Sequence, residues 1–312
     1  DYLDVPSHIV SLKWQDIPEY FPKVLRMQEA PITAFRLLAH HKAYEECYKQ
    51  NITVLLEGQG GDELGAGYEY YYAPYVLDSL KKVESRDFVQ TLNLFMDRFN
   101  IKEENRLERF LDCLQTTYRT GVSTQDGVCF VNPALLDDNF LNNFDNGFNG
   151  YQHQFDSALT SVQLIDFKHV VLPRAMRFLD RLSMASSREA RVPILDHRIV
   201  EFSFRTEIEA RIKNGFQRNF MRQAAANILP KTVTERPKRT IVDPQRQWLQ
   251  KELRPWVLEI FNDSIVKDSG IFKQKAIISE YDKYCNTHNP RSSFHIFQYI
   301  NVIVWLKELF GK

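Results

Sequence analysis

Glycine and cysteine are both in short supply in this chain of 312 residues, at 12 and 4 copies. Cys47, Cys113, Cys129 and Cys285 stand far apart with no C-x-x-C pair, which excludes a disulfide framework and a zinc cluster and makes a reducing cytoplasm the expected location. An excess of one charge is also missing. The 40 Lys+Arg residues balance 40 Asp+Glu residues, so no long-range field recruits nucleic acid or an anionic membrane, and any basic site must be local. No apolar run approaches the ~18 residues of a membrane helix; the most apolar late stretch, Ile296 to Leu306, is interrupted by Gln298 and Asn301. No signal-peptide pattern opens the chain. The histidines make no H-E-x-x-H or comparable ligand spacing, and His40-His41 read as helix surface. What is present is ordinary globular material, 44% hydrophobic and 26% charged, which rules out disorder and fibrous repeats.

The pattern predicts a short α/β opening and a long, mostly helical remainder. His8 to Leu12 reads as a strand and Ile32 to Gln50 as a helix. Ile52 to Leu56 is a short apolar, β-rich run suited to a buried parallel strand. Tyr68, Tyr70, Tyr71, Tyr72 and Tyr75 follow closely and read as a half-buried aromatic helix start, with a pocket lining as the alternative. Leu77 to Thr120 reads as helices with charged outer faces, and the Asn-rich stretch Asp137 to Gly150 as a loop at a junction. Helices are predicted over Ser161 to Leu182, Gln217 to Leu229, Gln245 to Phe261, Phe272 to Tyr284 and Phe294 to Leu309.

Five of the few glycines, at positions 58, 60, 61, 65 and 67, fall directly after the predicted strand. A strand that ends in glycines and leads toward a helix can bring backbone N–H groups against phosphate. The dinucleotide fingerprint fails, because its last glycine falls on Glu63, and the Walker A loop fails because Ala66 and Gly67 stand where Lys and Ser/Thr belong. The cluster does supply Asp62 and Glu63, and a carboxylate beside a phosphate-sized hollow suits Mg²⁺. Solvated acids on a tight strand-to-helix turn are the plainer reading.

Three ordered blocks then carry a resemblance. Leu55 to Tyr68 (L-L-E-G-Q-G-G-D-E-L-G-A-G-Y) resembles the second signature of the asparagine synthetase family, L-S-G-E-G-A-D-E-L-F-G-G-Y. Leu179 to Ala185, with Glu189 to Asp196, resembles D-R-x-S-M-A followed by E-x-R-V-P-F-L-D, and Leu229-Pro230 through Arg239 resembles L-P followed by R-x-K. The resemblance implies an α/β fold with a parallel-sheet ATP-pyrophosphatase core of the adenine nucleotide alpha hydrolase kind. Here that core is partial: a nucleotide-binding portion at 1–72, a helical region with the Asn-rich loop at 73–160, and a helical synthetase portion at 161–312. It also implies an ATP-dependent ligase that makes an acyl-adenylate and pyrophosphate, after which ammonia or another amine displaces AMP. Its partners would be a small carboxylate and ammonia from a glutaminase domain outside this chain, with room for a homodimer.

Residue by residue, the resemblance places Asp62 at the Mg²⁺ site and Glu57, Gly58 and Gly60 where backbone meets the nucleotide. Lys238 matches the Lys of R-x-K, a cation for the transition state. Gln59 stands where the family has Glu; it can orient by hydrogen bonds and cannot act as a base. That change motivates an alternative, a catalytically inactive scaffold or regulatory protein. Glu63, Asp180, Arg181 and Arg191 read as structural or pocket residues, with Asp180, Arg181, Glu189, Arg191 and Asp196 expected to form buried ion pairs. Leu172-Pro173-Arg174-Ala175 stands where relatives often read L-P-D-D, which points away from the usual amino-acid substrate. The S-G-G-x-D-S signature is absent from the chain and is expected upstream of Asp1.

Overall fold

The structure, a computed structural model, describes residues 5–81, 93, 96, 108, 131–143, 150–236, 243–288 and 293–311. Its first elements are α1 (Ile17–Gln28), α2 (Arg36–Lys49), β1 (Val54–Leu56), the single turn α3 (Gly61–Gly65) and α4 (Tyr72–Lys81). Then come α5 (Asp138–Asn143), α6 (Ala158–Lys168), α7 (Val171–Ala185), β2 (Glu189–Arg191), α8 (His197–Arg205) and α9 (Ile208–Arg211). The hairpin β3 (Ile212–Lys213) and β4 (Phe216–Gln217) leads to α10 (Asn219–Ala225) and α11 (Lys231–Thr234). The last described elements are α12 (Gln245–Gln250), α13 (Arg254–Asn262), α14 (Ser264–Asp268), α15 (Gln274–Asn286) and α16 (Phe294–Phe310).

The main core forms where α1 meets α2, α7 and α16, and where α13 meets α15 and α16. Helix α1 was not anticipated. Pro18 sits in its first turn, where a missing N–H costs least, and Ile17, Phe21, Val24, Leu25 and Gln28 recur on one buried face. Phe21, Phe35 and Phe297 meet edge to face with ring centroids 5.3 to 5.8 Å apart. The polar break in the last apolar run has a purpose: buried Asn301 in α16 accepts from Ile32 N at 3.1 Å and donates to Ile32 O. Buried Gln245 accepts from Phe35 N at 2.9 Å and donates to Ser293 Oγ at 3.1 Å. His41, expected on the surface, is buried at 1% exposure because α2 turns it inward.

A parallel pair, β1 with β2, joins Leu55 to Ala190 and Leu56 to Arg191. Leu55, Ala190 and Val192 face the main core, while Ile52, Val54 and Leu56 point outward and are exposed. The predicted strand is therefore present and parallel but covered on one face among the described residues. His8 to Leu12 is not a strand; no strand pairs with it among the described residues, and Ile9 is exposed.

Two predicted helices divide at prolines. The segment from Ser161 breaks at His169–Val170 shortly before Pro173, and the segment from Gln245 breaks before Pro255; proline loses its N–H and clashes inside a helix but is tolerated in a first turn. Gln217 belongs to β4, so the helix predicted from it starts at Asn219. The Asn-rich loop contains the short helix α5, and residues 144–149 lie outside the described set. Most of the helical stretch expected from Leu77 to Thr120 also lies outside it, apart from the end of α4 and three single residues.

Candidate functional site

The connection from β1 to α3 holds Glu57, Gly58, Gln59, Gly60 and Asp62 within one turn of chain at the carboxyl ends of the parallel pair, the edge where open α/β sheets bind ligands. Glu57 N donates to Arg191 O at 2.8 Å, extending the pairing by one residue, and Tyr44 Oη donates to Glu57 Oε1 at 2.8 Å. Burial and the Glu57 carboxylate push the Tyr44 phenol well up, so it stays a donor. The partly buried Glu57 side chain is thus tied to α2, while Gly58 is exposed and a Cβ there would meet nothing within 4 Å.

Three of the other four glycines of the cluster are filled by protein. Gly60 has φ of 89°, in the left-handed region, and a Cβ on it would lie 2.1 Å from Leu195 Cδ2. A Cβ on Gly65 would lie 2.6 Å from Arg218 Cγ, and one on Gly67 would lie 1.9 Å from Asp62 Oδ1. At these three the neighbouring atoms leave no room for a Cβ; a Cβ on Gly61 would lie an ordinary 3.7 Å from Ile194 Cδ1, and Gly58 is the exposed position of the cluster.

Asp62 is held by that packing. Its Oδ1 lies 3.5 Å from Arg218 Nη1, and Gly67 N donates to its carbonyl at 2.8 Å. Arg218 has φ of 56°, a strained value for a non-glycine residue, and its N donates to Gly65 O at 2.7 Å. The same stretch is tied down twice more: Gln217 Nε2 donates to Tyr68 O at 2.6 Å and Tyr72 Oη to Gly215 O. Arg222 extends this network, donating to Gln217 O at 2.7 Å and to Thr234 O at 2.5 Å. Arg218 and Arg222 were missed by sequence reasoning. Their only signal is two cations spaced four apart at the start of a helix, which on its own reads as surface.

Glu63 is buried at 2% exposure and accepts from Tyr68 Oη at 2.7 Å, so it faces inward. Below it, Tyr70 and Tyr71 both donate to buried Asp166 at 2.7 Å. The tyrosine run is core rather than half-buried surface, and burial with the neighbouring carboxylates pushes Tyr68 and Tyr71 well above their ordinary range.

The charges of the second block do not form buried ion pairs. Arg191 meets Glu189 at 2.7 Å with both side chains more than half exposed, and Asp196 meets Arg198 at 2.8 Å at the surface. In E-A-R-V the alternation of a strand sends Ala190 and Val192 inward and the charges out. Arg181 donates to Glu29 Oε2 at 2.8 Å and Met27 O at 3.2 Å, clasping the end of α1, while Asp180 is exposed. Lys238 lies outside the described residues.

Among the described residues no group of three or more His, Cys, Asp or Glu side chains is arranged to hold a metal ion. A lone carboxylate in Asp62 fits Mg²⁺ carried on phosphates, which needs one or two protein oxygens, and does not fit an all-protein cage. No helix among the described residues is long and apolar enough to cross a membrane.

The family model described as asparagine synthase matches residues 1–307. Over 224 residues the chain is 27% identical to asparagine synthetase [glutamine-hydrolyzing] 1 of Bacillus subtilis, covering 69% of this chain and 34% of that protein. Asparagine synthetase [glutamine-hydrolyzing] 2 of the same organism is 26% identical over 223 residues, 71% of this chain and 26% of its own length. A shorter stretch of 67 residues, 20% of this chain and 12% of the relative, is 40% identical to asparagine synthetase [glutamine-hydrolyzing] of Gallus gallus. The chain therefore spans about a third or less of the length of these relatives.

Proposed function

The chain belongs to the asparagine synthase family, and we propose that it is the synthetase part of an ATP-dependent amide-forming ligase with an ATP-pyrophosphatase type of core. The observation that carries this is the β1–α3 connection. It presents an open glycine, a fixed carboxylate and a guanidinium at the carboxyl ends of parallel strands, in a chain with a family match along nearly its whole length.

In this reading the main chain of Glu57, Gly58 and Gly60 lies along the nucleotide, Asp62 holds Mg²⁺ carried on the phosphates, and Arg218 and Lys238 face phosphate oxygens. When bound there, Mg²⁺ would supply positive charge against the negative charge that grows on departing pyrophosphate. A substrate carboxylate oxygen attacks the α-phosphorus, the bond to pyrophosphate breaks, and an acyl-adenylate remains. An amine, with ammonia from a glutaminase domain as the natural source, attacks the acyl carbon, loses a proton and expels AMP. Gln59 sits half-buried at the apex of the connection, where it orients by hydrogen bonding and leaves proton transfer to another base.

The test is AMP and pyrophosphate release by the full-length protein with Mg·ATP, ammonia and a panel of small carboxylates including aspartate. AMP formation that depends on one of these acids is the expected result; none with any acid sinks the ligase reading. The neutral Gln59 favours a second reading, a scaffold without turnover. For that, calorimetry with Mg·ATP decides, since a pure scaffold binds no nucleotide.

A further inference from the structure

The carbonyl end of α3 is the least self-sufficient part of the connection. A helix of five residues does not hold itself, and its last carbonyls have no helical partner. Donors from three other elements take them. Gln163 of α6, fully buried, donates from Nε2 to Glu63 O at 2.7 Å and Leu64 O at 3.2 Å. Ser203 Oγ donates to Leu64 O at 2.7 Å, and Arg218 N takes Gly65 O.

A glutamine amide can present either end, and here Arg211 decides which. Its Nη1 donates to Gln163 Oε1 at 2.7 Å, so Nε2 must face the helix. Arg211 is itself 1% exposed, with Nη2 held by Thr160 Oγ1 at 3.0 Å and Thr206 O at 3.1 Å. All three acceptors are neutral, while Asp78, Glu207 and Glu209 act on it only at longer range. A buried cation hydrogen-bonded to neutral groups is expensive, and apolar residues often fill such space at less cost. The charge therefore has a geometric task.

We propose that Gln163 and Arg211 are a positioning pair that fixes the turn carrying Asp62, and thereby where the metal of the nucleotide is held. This rests on the reading of Asp62 given above. The discriminating variant is Gln163→Glu in the full-length protein: it keeps the shape and gives Arg211 a stronger acceptor, but turns a donor into an acceptor against two carbonyls.

Amide hydrogen exchange in residues 61–67 should quicken on the order of tenfold, the worth of one or two hydrogen bonds, while α16 exchanges as in the wild type. The Mg²⁺ concentration for half-maximal AMP formation should rise by a similar factor, with kcat changed by less than about threefold. Unchanged exchange in 61–67, or the same acceleration in α1 and α16, overturns the proposal. If Gln163→Glu does not melt cooperatively, Gln163→Met is read by the same two measurements, because it removes the donor from Glu63 O and Leu64 O without adding a charge. A wild-type protein that forms no AMP refutes the ligase reading alone, and the exchange result then still decides the pair.

Discussion

Gly67→Ala tests the placement of Asp62 without altering any group that would touch a nucleotide. A Cβ at residue 67 would lie 1.9 Å from Asp62 Oδ1, 2.7 Å from its Cγ and 2.9 Å from its Cα, against an ordinary separation of roughly 3.5 Å. The carboxylate must swing by more than an ångström, and crowding against the Asp62 main chain shifts the turn as well. Overpacking of this kind costs about 1 to 3 kcal/mol, offset by about 0.4 to 1 kcal/mol from the stiffer unfolded chain. At roughly 2 to 4 °C per kcal/mol for a large domain, a drop in Tm of a few degrees is expected. Displacing a metal-holding carboxylate by about 1 Å should cost on the order of a hundredfold in kcat/KM. Gly58→Ala is the control, since its Cβ meets nothing within 4 Å: Tm stays level or rises slightly while KM for Mg·ATP increases. Melting curves and steady-state AMP formation with the full-length protein read both. A Gly67→Ala protein with wild-type Tm and wild-type kcat/KM would refute the packing argument and the metal role together.

Lys238→Ala should lower kcat by about 10² to 10³ with Tm unchanged, as expected for loss of a cation that acts on the transition state; single-turnover AMP formation is the measurement, and a rate within a few-fold of wild type would exclude the role. Asn301→Leu strands both backbone groups of Ile32 in the core and should cost about 2 to 4 kcal/mol in denaturant unfolding. His41 gives a pH signature. Burial holds its imidazole below the ordinary range, outweighing Glu45 Oε1 at 3.2 Å, and the Lys23 cation adds to the effect. Above about pH 6.5 neither the folded nor the unfolded state protonates it; as the pH falls below that, the unfolded state takes the proton first and stability declines. The fall of Tm between pH 7 and 5 should be shallower in His41→Gln, and an unchanged slope would show that His41 does not carry it.

The fold was legible where local chemistry decides and illegible where partners do. Ile52 to Leu56 announces a strand by its β-branched, apolar residues, and β1 forms within it. Its partner Glu189–Arg191 was read only as a charged block, because three residues of a strand carry too little pattern to reveal pairing with a segment far along the chain. His8 to Leu12 has the same local signal as β1 but no partner among the described residues, so propensity alone misleads. Pro173 and Pro255 were visible signs of the helix breaks, outvoted by the continuity of the apolar spacing on either side.

The candidate site divides along the same line. Its position was readable because a glycine cluster after a strand is rare and its flanking acids are conspicuous. What the glycines do was not readable, since φ and close approach leave the same letter in the sequence. Gly60 bends the chain and clears Leu195, Gly65 clears Arg218, and Gly67 clears Asp62 itself, while a Cβ on Gly61 would make only an ordinary contact and one on Gly58 would meet nothing within 4 Å. The residues that hold the turn, Gln163, Ser203, Arg211 and Arg218, come from four later segments; three act on its backbone carbonyls or the Asp62 carboxylate, and Arg211 acts through the Gln163 amide. None belongs to a short motif, because a donor for a carbonyl can be almost any polar side chain that the fold delivers there. A single sequence shows the carboxylate; the burial of the glutamine and the arginine behind its turn exists only once α6 and α8 have packed on α3 and α9 has brought Arg211 against Gln163.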